Sequence, residues 1–149
     1  MTPTTRHRSR SIRLALAAAL VAVTVGSTTA CAPRELVDLG VKLINQDRAA
    51  AGLGPLATND NSASKAQAWA EHMAATRQIS HSPLSAGITG GWSTLAENVG
   101  YGPNMASVES LFMRSATHRA AILSRRFTAV GVGVAQSGNL VYVVYEFRG

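Results

Sequence analysis

A chain of 149 residues has room for one domain of ordinary size with a real core. Its formal net charge of +6 would suit a nucleic-acid partner, but Arg6, Arg8, Arg10 and Arg13 lie at the N-terminus and no acid precedes Glu35. From Cys31 onward ten Lys and Arg face eight Asp and Glu, so the remainder is near-neutral and lacks a basic nucleic-acid footprint.

Residues 1–30 read as an export signal. The arginines form a positive start, and Leu14 to Val25 is an uncharged run rich in Ala, Leu and Val. That run falls short of the ~20 apolar residues a membrane span needs. Small residues Gly26-Ser27-Thr28-Thr29-Ala30 then lead to Cys31, the single cysteine. The order resembles a bacterial lipoprotein cleavage box, in which Cys31 is lipidated and becomes the mature N-terminus. Thr28 departs from the apolar residue usual there, and plain cleavage after Ala30 or a retained anchor are the alternatives. The expected location is therefore outside the cell, lipid-anchored to the outer face of the membrane or else secreted. A lone cysteine excludes an internal disulfide, so stability must come from the core.

Glu35 to Ala51 carries a broad apolar face of Leu36, Leu39, Leu43, Val37, Val41 and Ile44, which predicts a helix. Gly52 ends it, Gly54-Pro55 prevents a restart, and Leu56 pins the crossing to the core. A second helix follows the cap-rich run Thr58 to Ser62 and continues to about Thr76. Its small face of Ala63, Ala66, Ala70 and Ala74 suits close approach to a neighbouring layer. His72, mid-helix, reads as a surface residue. Arg77 to Thr94 is a Gly- and Ser-rich connection that starts with Ser80-His81-Ser82-Pro83; connections of that length are often functional.

Leu95 to Tyr101 alternates like a strand and places Glu97 in apolar surroundings, where a carboxylate needs a partner. Asn104 caps a third helix to about Arg114, with Met105, Val108, Leu111 and Phe112 expected inward and Glu109 outward. Ser115 and Thr117 then open a short helix holding His118 in its first turn, where unpaired amides disfavour a cationic imidazole. Two strands close the chain. Val130, Val132 and Val134 fill one face of the first, and Gly131 and Gly133 leave its other face bare for a helix. Ser137-Gly138-Asn139 makes the turn, and Leu140 to Phe147 is apolar on both faces, so helices should cover both. The expected fold class is α+β: a three-layer α-β-α sandwich around a small antiparallel sheet.

The ordered set Leu43-Ile44-Asn45-Gln46-Asp47-Arg48, Ser80-His81-Ser82-Pro83, Glu97-Asn98, His118-Arg119-x-x-Ile122-Leu123 and Phe127-Thr128-x-Val130-Gly131-Val132-Gly133 resembles the bacterial branch of the CAP superfamily. That superfamily unites cysteine-rich secretory proteins, antigen 5 and pathogenesis-related 1 domains, also called SCP domains. The likeness covers residues 35–147, the expected CAP domain. It implies a three-layer sandwich with an open cleft, where two histidines and two acids can bind a divalent cation, often zinc. His81 and His118 match the two histidines and Glu97 the acid of the Gly-Glu-Asn motif, with Ala96 in place of its Gly. Phe112 stands where an aromatic is usual, and Ser115 replaces the second acid found in animal and plant members, so the tetrad becomes a triad. Glu109, one turn earlier, should point elsewhere.

Two imidazoles and a carboxylate could complete three corners of a tetrahedral Zn²⁺ site with water in the fourth. Glu97 cannot then also serve as general base, and the chain has no His-Glu-x-x-His helix, Gly-x-Ser-x-Gly elbow or catalytic-looking cysteine. Asn98 and Ser115 could orient the site. Three functions follow: a cell-envelope binding module for a lipid, peptide or glycan, a metal-dependent peptidase-like hydrolase using His81, Glu97 and His118, or a structural or signalling protein without site chemistry.

Overall fold

A computed structural model describes Met1 and residues 34–149. The export signal, its cleavage box and Cys31 lie outside the described residues. Among those described, α1 (Arg34–Ala50), β1 (Ala57–Thr58), α2 (Asp60–Thr76), β2 (Leu95–Gly102), α3 (Met105–Arg114), α4 (Ala116–Ile122), β3 (Ala129–Ser137) and β4 (Leu140–Arg148) follow in order.

The strands form one sheet in the order β1-β3-β4-β2. The three long strands are antiparallel, as the alternation and the Gly138 turn require, and Gly138 has the left-handed φ of 60°. The sheet is nevertheless mixed, because β1 pairs in parallel with β3 through Ala57 and Thr58. Two residues are too few to show a period. They are placed by Asn45, whose side chain accepts from the Leu56 amide (2.8 Å) and donates to the Leu56 carbonyl (3.2 Å).

One face of the sheet meets α1, α3 and α4 through Val130, Val132, Val134, Val141, Val143, Tyr145 and Phe147, packed on Ile44, Met105, Val108, Phe112 and Ile122. The other face carries α2, whose Ala66, Ala70 and Met73 lie on Val99, Ala135, Tyr142 and Val144. This is the three-layer α-β-α arrangement. The close fit of α2 depends on missing side chains. A Cβ on Gly131 would fall 2.1 Å from the Ala63 amide nitrogen, and one on Gly133 2.1 Å from the Ala66 carbonyl carbon.

Asn59 caps α2 by accepting from the Ser62 amide (3.0 Å), and Asn104 caps α3 through Ser107 (2.9 Å). Arg48, buried in α1, has no carboxylate partner among the described residues; its guanidinium donates to the carbonyls of Gly54, Ile122 and Ser124 and ties α1 to the turn after α4. Two expectations for α3 are corrected. Glu109 is buried and accepts a 2.6 Å bond from the Tyr145 hydroxyl, whereas Leu111 is exposed. Met105, Val108, Glu109 and Phe112 form the buried stripe, at the i, i+3, i+4, i+7 spacing of a helix face.

Candidate functional site

Glu97 and Glu146 are opposite partners in the β2–β4 ladder, and Gly131 stands opposite Glu146 in β3. All three occupy the sheet face under α2, so two carboxylates share a covered surface and must find donors. Lys65 of α2 supplies them: its ammonium, almost wholly buried, lies 2.7 Å from Glu146 Oε2 and donates to Ser82 Oγ at 2.7 Å. The Ser82 hydroxyl in turn donates to Glu97 Oε2 (2.6 Å), and the Ser82 amide to Glu97 Oε1 (2.9 Å). Glu97 Oε1 also meets His81 Nδ1 at 2.7 Å. A polar chain thus runs from Glu146, with no exposed surface, through Lys65, Ser82 and Glu97 to His81, whose side chain is 61% exposed.

The chain has chemical consequences at its buried end. Burial raises the Glu146 carboxyl to about 7, against the opposing pull of Lys65 and with a further push from Glu97. Glu146 Oε1 has no partner among the described residues. At the exposed end, the bond from Nδ1 to Glu97 fixes one ring nitrogen of His81 and leaves Nε2 toward solvent. Trp69 of α2 holds the same connection by donating to the Ser80 carbonyl (2.7 Å).

His118 approaches from the opposite layer. It lies in the first turn of α4, as its sequence position implied, and its carbonyl accepts from Asn98 Nδ2 (3.0 Å). Asn98 therefore positions α4 against β2. The His118 ring packs at 4.9 Å on Phe112. Burial lowers its pKa, and the nearby His81 lowers it further. Ser115 is the N-cap residue of α4 but makes no side-chain cap bond. Beside it lies a hollow of about 320 Å³, lined by Ile79, Tyr101, Leu111, Phe112, Ser115 and His118 along the edge of β2. A larger hollow, about 500 Å³, lies between α2 and the connection after it, with Lys65, Trp69 and Ser82 in its lining.

The three residues picked out in the sequence thus come to one end of β2, with Asn98 and Ser115 beside them. Their donors do not form a three-ligand metal set. Glu97 already accepts three hydrogen bonds, which suits a carboxylate that orients an imidazole rather than one that ligates. His81 Nε2 and the His118 ring are one donor short of an open zinc site. Among the described residues, no group of three or more His, Cys, Asp or Glu is arranged to hold an ion. Lys65, Ser82 and Glu146 were missed as site residues. Glu146 carried a signal, since an acid in a strand covered on both faces requires a buried partner.

The profile of the cysteine-rich secretory protein family, CAP, matches residues 41–147. The chain belongs to the CAP family. Solved structures similar to this CAP domain include an outer surface protein from Borrelia burgdorferi, with a TM-score of 0.67 and 18% identity over 77% of this chain and 92% of that one. An extracellular SCP-domain protein from Bacillus anthracis has a TM-score of 0.68 and 23% identity over 77% of this chain. A cysteine-rich secretory protein from Staphylococcus aureus has 0.65 and 22% over the same share. The chain spans only 40% and 38% of the latter two, so it corresponds to their CAP portion. No curated protein matches it. At these identities the likeness establishes the CAP fold.

Proposed function

We propose that this CAP domain is a binding module at the cell envelope, taking its ligand in the hollow along β2 and using the two imidazoles as recognition groups. The observation that carries this reading is the state of Glu97. Its carboxylate is held by Ser82 and His81, so it serves as a strut that aims His81 rather than as a free base or ligand. What remains open to solvent is an apolar hollow with imidazole and hydroxyl donors at one end, the composition of a recognition site.

Export places the domain where such a ligand would be met, and the outer-surface and extracellular relatives support that location. Lipidation at Cys31 would hold it at the membrane, with Ala32 and Pro33 alone before α1. Mass measurement of the mature N-terminus decides this: a diacylated Cys31 supports anchoring, and an unmodified N-terminus at residue 31 supports plain secretion.

For the site itself, the full chain is titrated with short peptides, glycan fragments and phospholipid micelles, alone and as the Leu111→Glu variant, which puts a charge at the mouth of the hollow. At least one class should bind, be recovered chemically unchanged and bind at least about tenfold more weakly to the variant. Turnover of a bound ligand that is lost in His81→Ala would instead establish the hydrolase.

A further inference from the structure

The order β1-β3-β4-β2 leaves β2 at the edge of the sheet. Thr94 and Gly149 exchange both backbone hydrogen bonds, at 3.2 and 3.1 Å, so they are a hydrogen-bonded pair. The register continues without a bulge from Leu95 with Arg148 to Gly102 with Val141. Hydrogen-bonded and non-hydrogen-bonded pairs alternate in an antiparallel ladder. Ala96, Asn98, Gly100 and Gly102 therefore direct their amides and carbonyls toward β4, while Val99 and Tyr101 direct theirs outward. No strand lies on that side among the described residues, and the edge carries neither the Pro nor the lysines that commonly blunt such strands.

The outward groups border the 320 Å³ hollow, which includes Val99 and Tyr101 in its lining. Three large apolar side chains around it, Ile79, Tyr101 and Leu111, are exposed. The surface also has a polarity along the strand. Val108 lies against Gly102 and Phe112 against Gly100, and the His118 carbonyl is bound by Asn98. The imidazoles of His81 and His118 thus stand at the Glu97 end of the strip and the apolar mouth at the Tyr101 end. The two acids at that end are withdrawn from solvent: Glu97, 2% exposed, is held by Ser82 and His81, and Glu146, with no exposed surface, by Lys65.

We propose that the free edge of β2 docks the C-terminal segment of an extended peptide. The peptide adds antiparallel to Val99–Tyr101, sets an apolar side chain between Ile79, Leu111 and Phe112, and brings its terminal carboxylate to His81 and His118. Direction follows from charge. A strand antiparallel to β2 ends at the imidazoles with its carboxylate. That group accepts an N–H bond from His118 and, with His81 as an imidazolium whose Nδ1–H is held by Glu97, a second from His81 Nε2, whereas a parallel strand would bring an ammonium beside that cation. Backbone bonds supply affinity independent of sequence, and the hollow supplies preference for an apolar residue, the usual division in strand addition. This assignment rests on the cleft being a binding site and names the class of ligand it takes.

The test uses the full chain and the acetylated pentapeptide Ac-Thr-Val-Thr-Leu-Val with a free C-terminus. Its C-terminal amide and a version N-methylated at alternate residues serve as controls that leave the protein untouched. Binding is followed by calorimetry and by amide chemical shifts. The free acid should bind and shift the Val99 and Tyr101 amides, and the amide should bind about tenfold more weakly, the loss expected for a hydrogen bond to a charged group. The version methylated on its edge-facing nitrogens should not bind detectably. Equal affinity for acid and amide, or unshifted Val99 and Tyr101 amides, overturns the proposal. If the peptide fails while a glycan fragment or micelle still binds and is weakened by Leu111→Glu, the peptide assignment falls and the binding module stands. If nothing binds, both fall. Dimerisation of the free chain through β2, read by sedimentation, would assign the edge to a second copy and overturn the peptide.

Discussion

Glu97 and Glu146 face one another across the β2–β4 ladder, and a single lysine reconciles them. Removing Lys65 strands a buried carboxylate, and breaking such a pair from one side costs about 3–5 kcal/mol. Lys65→Met should therefore destabilise by that amount in urea unfolding, while Lys65→Met with Glu146→Leu should recover most of the loss. Equal stability of the two variants would show that the ion pair is not what Lys65 contributes. Glu109 offers a separate test through pH. Burial raises its carboxyl to about 7 from an ordinary 4.5, against the Tyr145 hydroxyl bond and reinforced by Asp47. The protonated form thus favours the folded state, a contribution present below about pH 4.5 and lost as pH rises through about 7. Glu109→Gln keeps an acceptor for Tyr145 and removes the titration. Unfolding curves from pH 4.5 to 8 should show the wild type losing stability relative to the variant across that window, by about 1–3 kcal/mol. A constant difference would contradict the assignment. His118, lowered first by burial and then by His81, should titrate below 6.5 by NMR and move partway back in His81→Ala.

At the scale of elements, α2 and β3 meet through absent side chains. Gly131→Ala would put a methyl into the α2 backbone, with contacts near 2.1 Å, so α2 must shift and stability should fall by about 1–3 kcal/mol or more. A thermal melt within about 1 °C of wild type would show that α2 is not seated as described. This element was legible in advance, because alternate glycines in an apolar strand remove one face outright. The α3 stripe was legible by spacing and misread by residue type. Met105, Val108, Glu109 and Phe112 follow helical spacing, but a carboxylate was turned outward and Leu111 inward on chemistry alone. Its burial depends on Tyr145, far along the chain, which no local pattern reveals. The short β1 was invisible for want of length. At the site, His81, Glu97 and His118 were found through motif order, whereas Lys65 and Ser82 were not. A lysine beside the small-residue face of α2 gives no hint that it reaches under the sheet face to Glu146.

For the whole molecule, the sandwich brings two layers to one strand edge. The connection after α2 contributes His81 and Ser82, α4 contributes His118, and β2 supplies the carboxylate that aims the first imidazole and the amide that seats the second. On the proposed reading the carboxylate belongs to the scaffold and the imidazoles meet the ligand. The most direct measurement is the histidine side-chain ¹⁵N spectrum of the full chain at pH 7, with and without equimolar Zn²⁺. The account expects the His81 Nδ1–H to stay bonded to Glu97, His118 to be neutral, and the two rings not to respond together to the metal. Concerted shifts of both imidazoles with loss of the His81–Glu97 hydrogen bond would show Glu97 to be a ligand and contradict the account.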